Sequence, residues 1–186
     1  RDSVVAQKEL LGEALRRGVG HVTVDGIKQQ LQRKEVITGQ YRGREVATTE
    51  MVLAEEKSML AFARNGKSKS SPLNANWRIR REWLNEGQQA AVRHVLESKD
   101  RVMIIKGRAG TGKTSLLKEA VEGIEAAGSN VFAFAPSARA SRDVLKSEGF
   151  ENATTVAELL VNGNLQQQIA GQVLLIDEAG LLGTRT

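Results

Sequence analysis

The sequence of 186 residues contains no cysteine, which excludes disulfides and thiolate metal sites and fits a reducing compartment such as the cytoplasm. It also lacks any apolar run near the length of about 20 residues that a membrane-spanning helix needs. The chain begins Arg1-Asp2-Ser3, without an initiator Met or the apolar core of a signal peptide. We therefore expect a piece of a longer protein that does not insert into a membrane.

Positive charge is in excess. Lys and Arg number 27 against 22 Asp and Glu, which gives a formal net charge of +5. This balance favours a polyanionic partner. The hydrophobic content of 40% is ordinary for a soluble globular protein. A chain of this length can hold one medium domain, or one domain together with a small one.

A glycine-rich motif at residues 107–114 organises the chain, because its letters GRAGTGKT fit the pattern G-x-x-x-x-G-K-[ST]. The apolar residues 102–105 before it predict a buried strand, and the apolar spacing in residues 115–127 predicts a helix. A strand, a tight turn and a helix N-terminus gather backbone N–H groups and the positive end of a helix dipole. The motif therefore predicts a phosphate site rather than an unoccupied glycine turn.

Lys113 and Thr114 close this motif. In such sites the lysine contacts the β- and γ-phosphates and the hydroxyl binds Mg²⁺, so ATP and Mg²⁺ are the predicted ligands. The other residues predicted to surround the nucleotide phosphates are Gly107, Gly110, Thr111 and Gly112.

A pair of carboxylates follows the predicted buried strand at residues 173–176. Asp177 is placed to hold Mg²⁺ opposite Thr114, and Glu178 to orient and deprotonate an attacking water. Glu178 and Lys113 are therefore the predicted catalytic residues.

Residues 130–135 predict another buried strand, with the turn 136–140 after it. Loops at the carboxyl ends of parallel strands line the crevice of an open α/β sheet, where Ser137 and Arg139 could contact a phosphodiester. The alternative is a simple helix start, since Ser is a common N-cap. Thr154 and Thr155 open another short helix in the same way.

The sequence predicts that the chain has three parts, residues 1–64, 65–82 and 83–186. The first is a small accessory domain of helix, helix, hairpin and helix, winged-helix-like, that either touches nucleic acid or docks against the main domain. Its predicted elements are helices at 4–17, 25–33 and 50–64, with Asp25 and Thr48 or Thr49 as caps, and a hairpin at 36–48 that turns at Gly39 and Gly43.

The stretch from 64 to 81 carries six basic side chains and no acidic one. Two interpretations stay open: a flexible, solvated linker, or a segment that lies along a phosphate backbone with Trp77 or Trp83 stacked on bases. The candidate DNA contacts in it are Trp77, Arg78, Arg80 and Arg81.

Residues 84–92 predict a helix capped by Asn85. Gln88 lies about 20 residues before the glycine-rich motif, and its carboxamide offers a donor and an acceptor that match the two polar atoms on the edge of adenine. A single Gln is more often a surface residue, so this role depends on its context.

Five motifs in this order resemble those of superfamily 1 helicases of the RecD type, over residues 83–182. They are Leu84-Asn85 with Gln88, residues 107–114, residues 135–140 (Ala-Pro-Ser-Ala-Arg-Ala), Thr154-Thr155 and Asp177-Glu178-Ala179. Residues 1–64 are similar to the segment that precedes the helicase-like region of TraI/TrwC-type conjugative relaxase–helicases.

The resemblance implies an α/β, RecA-like P-loop lobe with a parallel sheet. It implies that Gln88 recognises adenine and that Ser137, Arg139 and Thr155 face single-stranded DNA. The implied partners are the second RecA-like lobe and the relaxase domain of the same chain, and the conjugative transfer or secretion machinery. The relaxases of this family nick DNA with tyrosines and a histidine-bound metal. With Tyr41 as its single tyrosine, this sequence does not carry that chemistry.

A superfamily 1 motor also needs a second lobe with an arginine finger, which contributes orders of magnitude in rate. We therefore expect negligible ATP turnover from these residues alone, and 5′–3′ DNA unwinding only in a full-length chain. The alternative is a vestigial, non-hydrolysing module that binds single-stranded DNA and aids the relaxase or secretion. A third hypothesis is a P-loop kinase that acts on a small molecule, but it leaves Gln88 and the motif at 136–140 unexplained.

Overall fold

The structure is a computed structural model that describes residues 4–33, 35–108, 111–140, 145–147 and 149–183. Its internal contacts divide the chain into two compact units. The first runs to Ala61 and the second covers Phe62–Leu182. No helix in the described ranges combines the length and the apolar composition that crossing a bilayer requires.

The first unit has the predicted order of helix, helix, hairpin and helix, preceded by a short extra strand. Its sheet is antiparallel, in the order β1-β3-β2. The elements are β1 (Val5–Ala6), α1 (Gln7–Arg17), α2 (Val24–Leu31), β2 (Val36–Tyr41), β3 (Arg44–Thr49) and α3 (Glu50–Asn65), of which α3 continues into the second unit.

Two local predictions in this unit are wrong. Thr23, not Asp25, caps α2, because the Thr23 hydroxyl accepts the N–H of Gly26 at 3.2 Å. Gly39 makes no turn: it lies inside β2 and pairs with Val46. The hairpin turns once, at Arg42-Gly43, where both residues have positive φ (50° and 74°) as a type I′ turn requires.

The second unit is α/β with a parallel sheet in the order β5-β4-β6, which confirms the predicted fold class. Its elements are α4 (Glu86–Glu97), α5 (Lys113–Ala126), β4 (Val131–Ala135), β5 (Thr154–Thr155), α6 (Val156–Val161), α7 (Gly163–Gln168), β6 (Val173–Ile176) and a 3₁₀ turn at Ala179–Leu181.

The core of the second unit forms where α5 lies between α4 and the sheet. Val92 and Leu96 of α4 pack with Leu116 and Ile124 of α5. On the other side, Leu117 and Val121 of α5 pack against a cluster that includes Ala133 and Ala135 of β4. A short turn joins α5 to β4, so the helix runs antiparallel to the strand. The first turn of α5 therefore points to the sheet edge where β4 and β6 end.

The strand predicted at residues 102–105 is absent from the described sheet. Ile104 is 85% exposed, and only Met103 and Ile105 pack against the core of α4 and α5. An apolar run predicts burial, but a strand also needs a neighbour for its backbone N–H and C=O groups, and this run has none within the described residues. Leu174 and Ile176 of β6 are likewise about 40% exposed.

Candidate functional site

Within the glycine-rich loop, a side chain hydrogen-bonds to the loop's own backbone. The Thr111 hydroxyl donates to the carbonyl oxygen of Arg108 at 2.8 Å. A Cβ added to Gly107 would lie 2.8 Å from that hydroxyl oxygen, and Gly112 has a φ of +70° that L-residues rarely adopt. Both positions therefore favour glycine. Gly110, also predicted to line the site, lies outside the described residues.

Lys113 and Thr114 stand in the first turn of α5. Gly112 is the N-cap and provides no side-chain cap, and the first turn carries no acidic residue. The Lys113 ammonium lies over the loop and donates to the carbonyl oxygens of Gly107 (3.2 Å) and Arg108 (3.0 Å). The site thus combines a helix N-terminus, a lysine and a tight backbone turn, and the first helical turn carries no carboxylate. Such a site suits an anion such as a phosphate group.

Gln88 meets the glycine-rich loop directly. It shares a capping box with Asn85, in which each side-chain oxygen accepts the other residue's backbone N–H at 2.9 Å. The remaining amide group of Gln88 donates to the carbonyl oxygen of Thr111 at 3.0 Å. The structure therefore brings Gln88 to the predicted site. Its bond to the loop backbone is a contact that sequence reasoning missed.

Asp177 and Glu178 follow β6 at the sheet edge. The Asp177 N–H donates to the Phe134 carbonyl at 2.9 Å, which extends the ladder between β4 and β6 by one step. The Asp177 carboxylate accepts the N–H of Glu178, whose φ of +49° turns the chain sharply. Both carboxylates thus lie at the edge toward which the first turn of α5 points.

No group of three or more His, Asp or Glu side chains that could hold a metal ion occurs in the described ranges. A P-loop magnesium ion does not need one, since it keeps several waters and takes few protein ligands besides the phosphates. The hydroxyl of Thr114 and the carboxylate of Asp177 are the oxygen ligands predicted for this role.

Two of the three residues predicted to face single-stranded DNA, Ser137 and Thr155, cap helix N-termini in the structure. The Ser137 hydroxyl accepts the N–H of Ala140 at 3.2 Å, and the Thr155 hydroxyl accepts that of Glu158 at 3.1 Å. Arg139 is exposed beyond the end of β4. Its guanidinium is the cation that the turn presents at this edge.

The basic stretch at 64–81, for which a flexible linker was one of two interpretations, belongs to the second unit and is hydrogen-bonded within it. Its bonds to loop and helix backbone include Ser70 N–H to Lys99 at 2.8 Å and the Asn74 amide to Gly123 at 2.8 Å. The Trp77 indole N–H donates to the Glu119 carboxylate at 2.8 Å. These contacts join residues distant in sequence, so composition alone does not reveal them.

Glu119 anchors this segment. Its side chain on α5 is fully buried and accepts the indole N–H of Trp77, the backbone N–H groups of Arg80 (2.8 Å) and Arg81 (3.2 Å), and the Arg81 guanidinium (2.8 Å). Burial by itself raises the pKa of Glu119, but these hydrogen bonds outweigh it, and the pKa lies below its usual value. Sequence reasoning missed Glu119. Its helical spacing from Leu116, Ala120, Gly123 and Ile124 is the signal that could have placed it on the buried face of α5.

Arg81 bridges Glu119 and the half-exposed Glu122. Its hydrogen bonds to Glu122 and Glu119 raise the Arg81 pKa, and the bond from Arg81 lowers the pKa of Glu122. The Arg80 guanidinium covers the Trp77 ring at 4.5 Å from its centroid. Three of the four candidate DNA contacts in this segment thus serve internal contacts, while Arg78 is exposed.

The phosphate-loop lobe described above is matched by a known class of proteins. The chain belongs to a family described as AAA domain, whose family model matches residues 83–186, more than half of the chain. The match begins at Trp83, just ahead of the capping box of Asn85 and Gln88.

Individual relatives extend the likeness into the first unit. The chain is 30% identical to the conjugal transfer protein TraA of Rhizobium radiobacter over 152 residues, which cover 81% of this chain and 14% of that protein. It is 31% identical over 141 residues to the multifunctional conjugation protein TraI of Escherichia coli K12, covering 69% of the chain and 8% of TraI. A probable conjugal transfer protein TraA of Sinorhizobium fredii is 34% identical over 103 residues, 55% of the chain and 9% of that protein.

The predicted resemblance to the helicase-like lobe of TraI-type conjugation proteins is confirmed. The chain spans only 8–14% of the length of these relatives. A P-loop domain of this class implies the use of a nucleotide and a metal in general terms.

Proposed function

We propose that the chain is a helicase-type lobe of a conjugative DNA-transfer protein, which binds ATP with Mg²⁺ and holds single-stranded DNA. The observation that carries this is the meeting of Gln88, the glycine-rich loop and the first turn of α5 at one point. In the full-length protein, with a second RecA-like lobe, it contributes to 5′–3′ unwinding. Relaxase domains and the transfer machinery are its further proposed partners, in the cytoplasm.

The phosphates of ATP would lie against the N-terminus of α5. The Lys113 ammonium would exchange the carbonyl oxygens of Gly107 and Arg108 for phosphate oxygens, which are stronger acceptors because they are charged. Thr114 and Asp177 would hold magnesium, whose charge offsets that of the phosphates. Glu178 would orient and deprotonate the attacking water, and Gln88 would contact the adenine edge.

The isolated chain is proposed to bind ATP without appreciable turnover. The arginine finger that stabilises the transition state comes from a partner lobe in such motors and contributes about 10³–10⁵ in rate. Single-stranded DNA would cross the sheet edge at Ser137, Arg139 and Thr155, with Arg78 as a further cation.

A second candidate is a module that binds single-stranded DNA without using nucleotide. The observation in its favour is that the polar groups of the site are already hydrogen-bonded to one another. Lys113 is bonded to loop carbonyl oxygens, and both polar atoms of the Gln88 carboxamide are engaged by Asn85 and Thr111. Nucleotide binding would have to break these bonds.

Titration of a fluorescent ATP analogue, with and without oligo(dT), distinguishes the two. For the lobe that binds ATP we expect Lys113→Ala to weaken nucleotide binding at least tenfold, since it removes a charge-assisted contact. Lys99→Ala is the matched control, because this lysine is exposed in the same unit. The first candidate is rejected and the second holds if wild type binds no nucleotide and if its DNA affinity changes neither with nucleotide nor with Lys113→Ala.

A further inference from the structure

The hairpin of β2 and β3 projects from the first unit. At its base, Ala47 of β3 is buried and Val36 of β2 is half-buried. Every residue from 38 to 45 is exposed, although alternate residues of a strand point to opposite faces. The distal half is therefore a two-stranded ribbon that covers no core within the described residues.

The tip of this ribbon combines an aromatic ring with two cations. Tyr41 is 60% exposed and pairs with Arg44 across the ladder. The Arg42 guanidinium carbon lies 5.2 Å from the centroid of the Tyr41 ring. The nearest carboxylate along the ribbon is Glu45, which pairs with Gln40 one step below. The four residues 41–44 thus carry two positive charges and no negative one.

Arg42 occupies a backbone conformation that its residue type does not favour. Its φ is +50°, at the first central position of a type I′ turn, where Asn, Asp and Gly are preferred. Asn or Gly would adopt this turn with less strain. An arginine held in such a conformation, beside an exposed aromatic ring, indicates that its charge has a use at the tip.

We propose that this hairpin tip, residues 41–44, contacts single-stranded nucleic acid, with a base stacked on Tyr41 and phosphates bound by Arg42 and Arg44. Stacking on an exposed aromatic ring flanked by cations is the usual chemistry of such binding. An acidic peptide would pair with the two arginine charges, but its carboxylates offer no planar group to stack on the Tyr41 ring. The tip belongs to the first unit and the glycine-rich loop to the second, and the proposed contact requires no nucleotide.

Fluorescence anisotropy of a labelled oligo(dT) with the whole chain tests the proposal. Stacking on an aromatic ring typically accounts for about five- to 150-fold in affinity, so Tyr41→Ala should weaken binding at least fivefold and Tyr41→Phe should retain it. Arg42→Gly should weaken binding and reduce the slope of log K against log salt by about 0.7. The same substitution relieves the positive-φ strain, so the unfolding midpoint should stay or rise, which separates loss of contact from loss of fold.

Arg33→Ala is the matched control. It removes the same charge at the opposite end of the hairpin, where the Arg33 carbonyl accepts the N–H of Val36 at 3.0 Å, and binding should stay close to wild type. On an abasic oligonucleotide, Tyr41→Ala should lose its effect while Arg42→Gly keeps it. The proposal is overturned if the tip variants bind like wild type, or if Arg33→Ala and Arg42→Gly weaken binding equally.

The same titration separates this site from the proposed surface at the sheet edge. A loss caused by Arg139→Ala but by none of the tip variants overturns the tip alone. A loss caused by the tip variants but not by Arg139→Ala overturns the sheet-edge surface alone.

Discussion

Gln88 donates its side-chain amide to the main-chain carbonyl oxygen of Thr111 at 3.0 Å. The orientation of the carboxamide follows from its two neighbours. The Asn85 N–H can donate only to the Gln88 oxygen, and the Thr111 carbonyl can accept only from the Gln88 nitrogen. The capping box at the start of α4 therefore also positions the glycine-rich loop.

Gln88→Glu should weaken nucleotide binding about tenfold. The substituted carboxylate keeps the acceptor for Asn85 but removes the N–H donor, which bonds the Thr111 carbonyl and in the proposed function contacts the adenine edge. A lost and unsatisfied hydrogen bond costs about 1–3 kcal/mol. Titration of a fluorescent ATP analogue measures the effect. Gln89→Glu is the control, since it makes the same change one residue along and loses a bond to the Leu84 carbonyl instead. Equal nucleotide affinities for Gln88→Glu and wild type would contradict a role of the Gln88 amide in the nucleotide site.

Gly112→Ala should destabilise the fold for two separable reasons. A φ of +70° costs an alanine about 1–2 kcal/mol, and the added Cβ would lie 2.5 Å from the Gln88 amide nitrogen. Urea unfolding of the single variants and of Gly112→Ala with Gln88→Ala resolves them. The double variant should recover the contact part and keep the backbone part. Strict additivity of the two single variants would show that the two side chains do not meet.

Features that depend on nearby residues could be predicted from the sequence. β6 occupies residues 173–176 as predicted, and α5 begins at Lys113, two residues earlier than the predicted 115 and within the glycine-rich motif. Apolar residues at helical spacing are sufficient to predict a helix, because a helix satisfies its backbone polar groups within itself. An apolar run predicts a strand only where a neighbouring strand pairs with it, as β4 does with β6. The order of motifs was also sufficient to predict the family.

Relations between distant residues could not be predicted. Residues 102–105 have the apolar run of a strand but no described partner, and pairing is not encoded in the run. Glu119 falls on the apolar face of α5 by its helical spacing, but the sequence does not show its partners, because these donors lie about 40 positions earlier, such as Trp77 at a separation of 42. The register of the hairpin likewise follows from the turn at Arg42-Gly43, whereas Gly39 gave a competing signal.

Glu119→Ala should be among the most destabilising substitutions in the second unit. Removing one partner of a buried, hydrogen-bonded ion pair costs about 3–5 kcal/mol, because Arg81 and the Trp77 indole lose their acceptor. Glu122→Ala is the control: this carboxylate also binds Arg81 but its side chain is 41% exposed, so its loss should cost about 1 kcal/mol or less.

Urea unfolding measures both free energies. In a Trp83→Phe background, the fluorescence of Trp77 reports directly on the indole beside Glu119. We expect a red-shifted emission for Glu119→Ala even before unfolding, and an unchanged emission for Glu122→Ala. Similar unfolding free energies for the two variants would show that the buried carboxylate does not anchor the segment.

The same carboxylates predict how stability depends on pH. The pKa values of Glu119 and Glu122 lie below the ordinary 4.5, so as the pH falls the unfolded chain binds protons before the folded one. The contribution of Glu119 is complete above about pH 5 and is lost as the pH falls from 4.5 through its lowered folded value, by up to about 1.4 kcal/mol per pH unit. Glu122 adds less, because its side chain is 41% exposed and solvent screens its ion pair. Glu119→Gln should be less stable at pH 7 and less sensitive to acid. Urea unfolding from pH 7 to pH 3 measures this, with Glu13→Gln as the control. The pKa of Glu13 is also lowered, by its hydrogen bond to Arg17, but its side chain is 44% exposed and its removal leaves no buried donor unpaired. Parallel curves for wild type and Glu119→Gln would contradict the assignment.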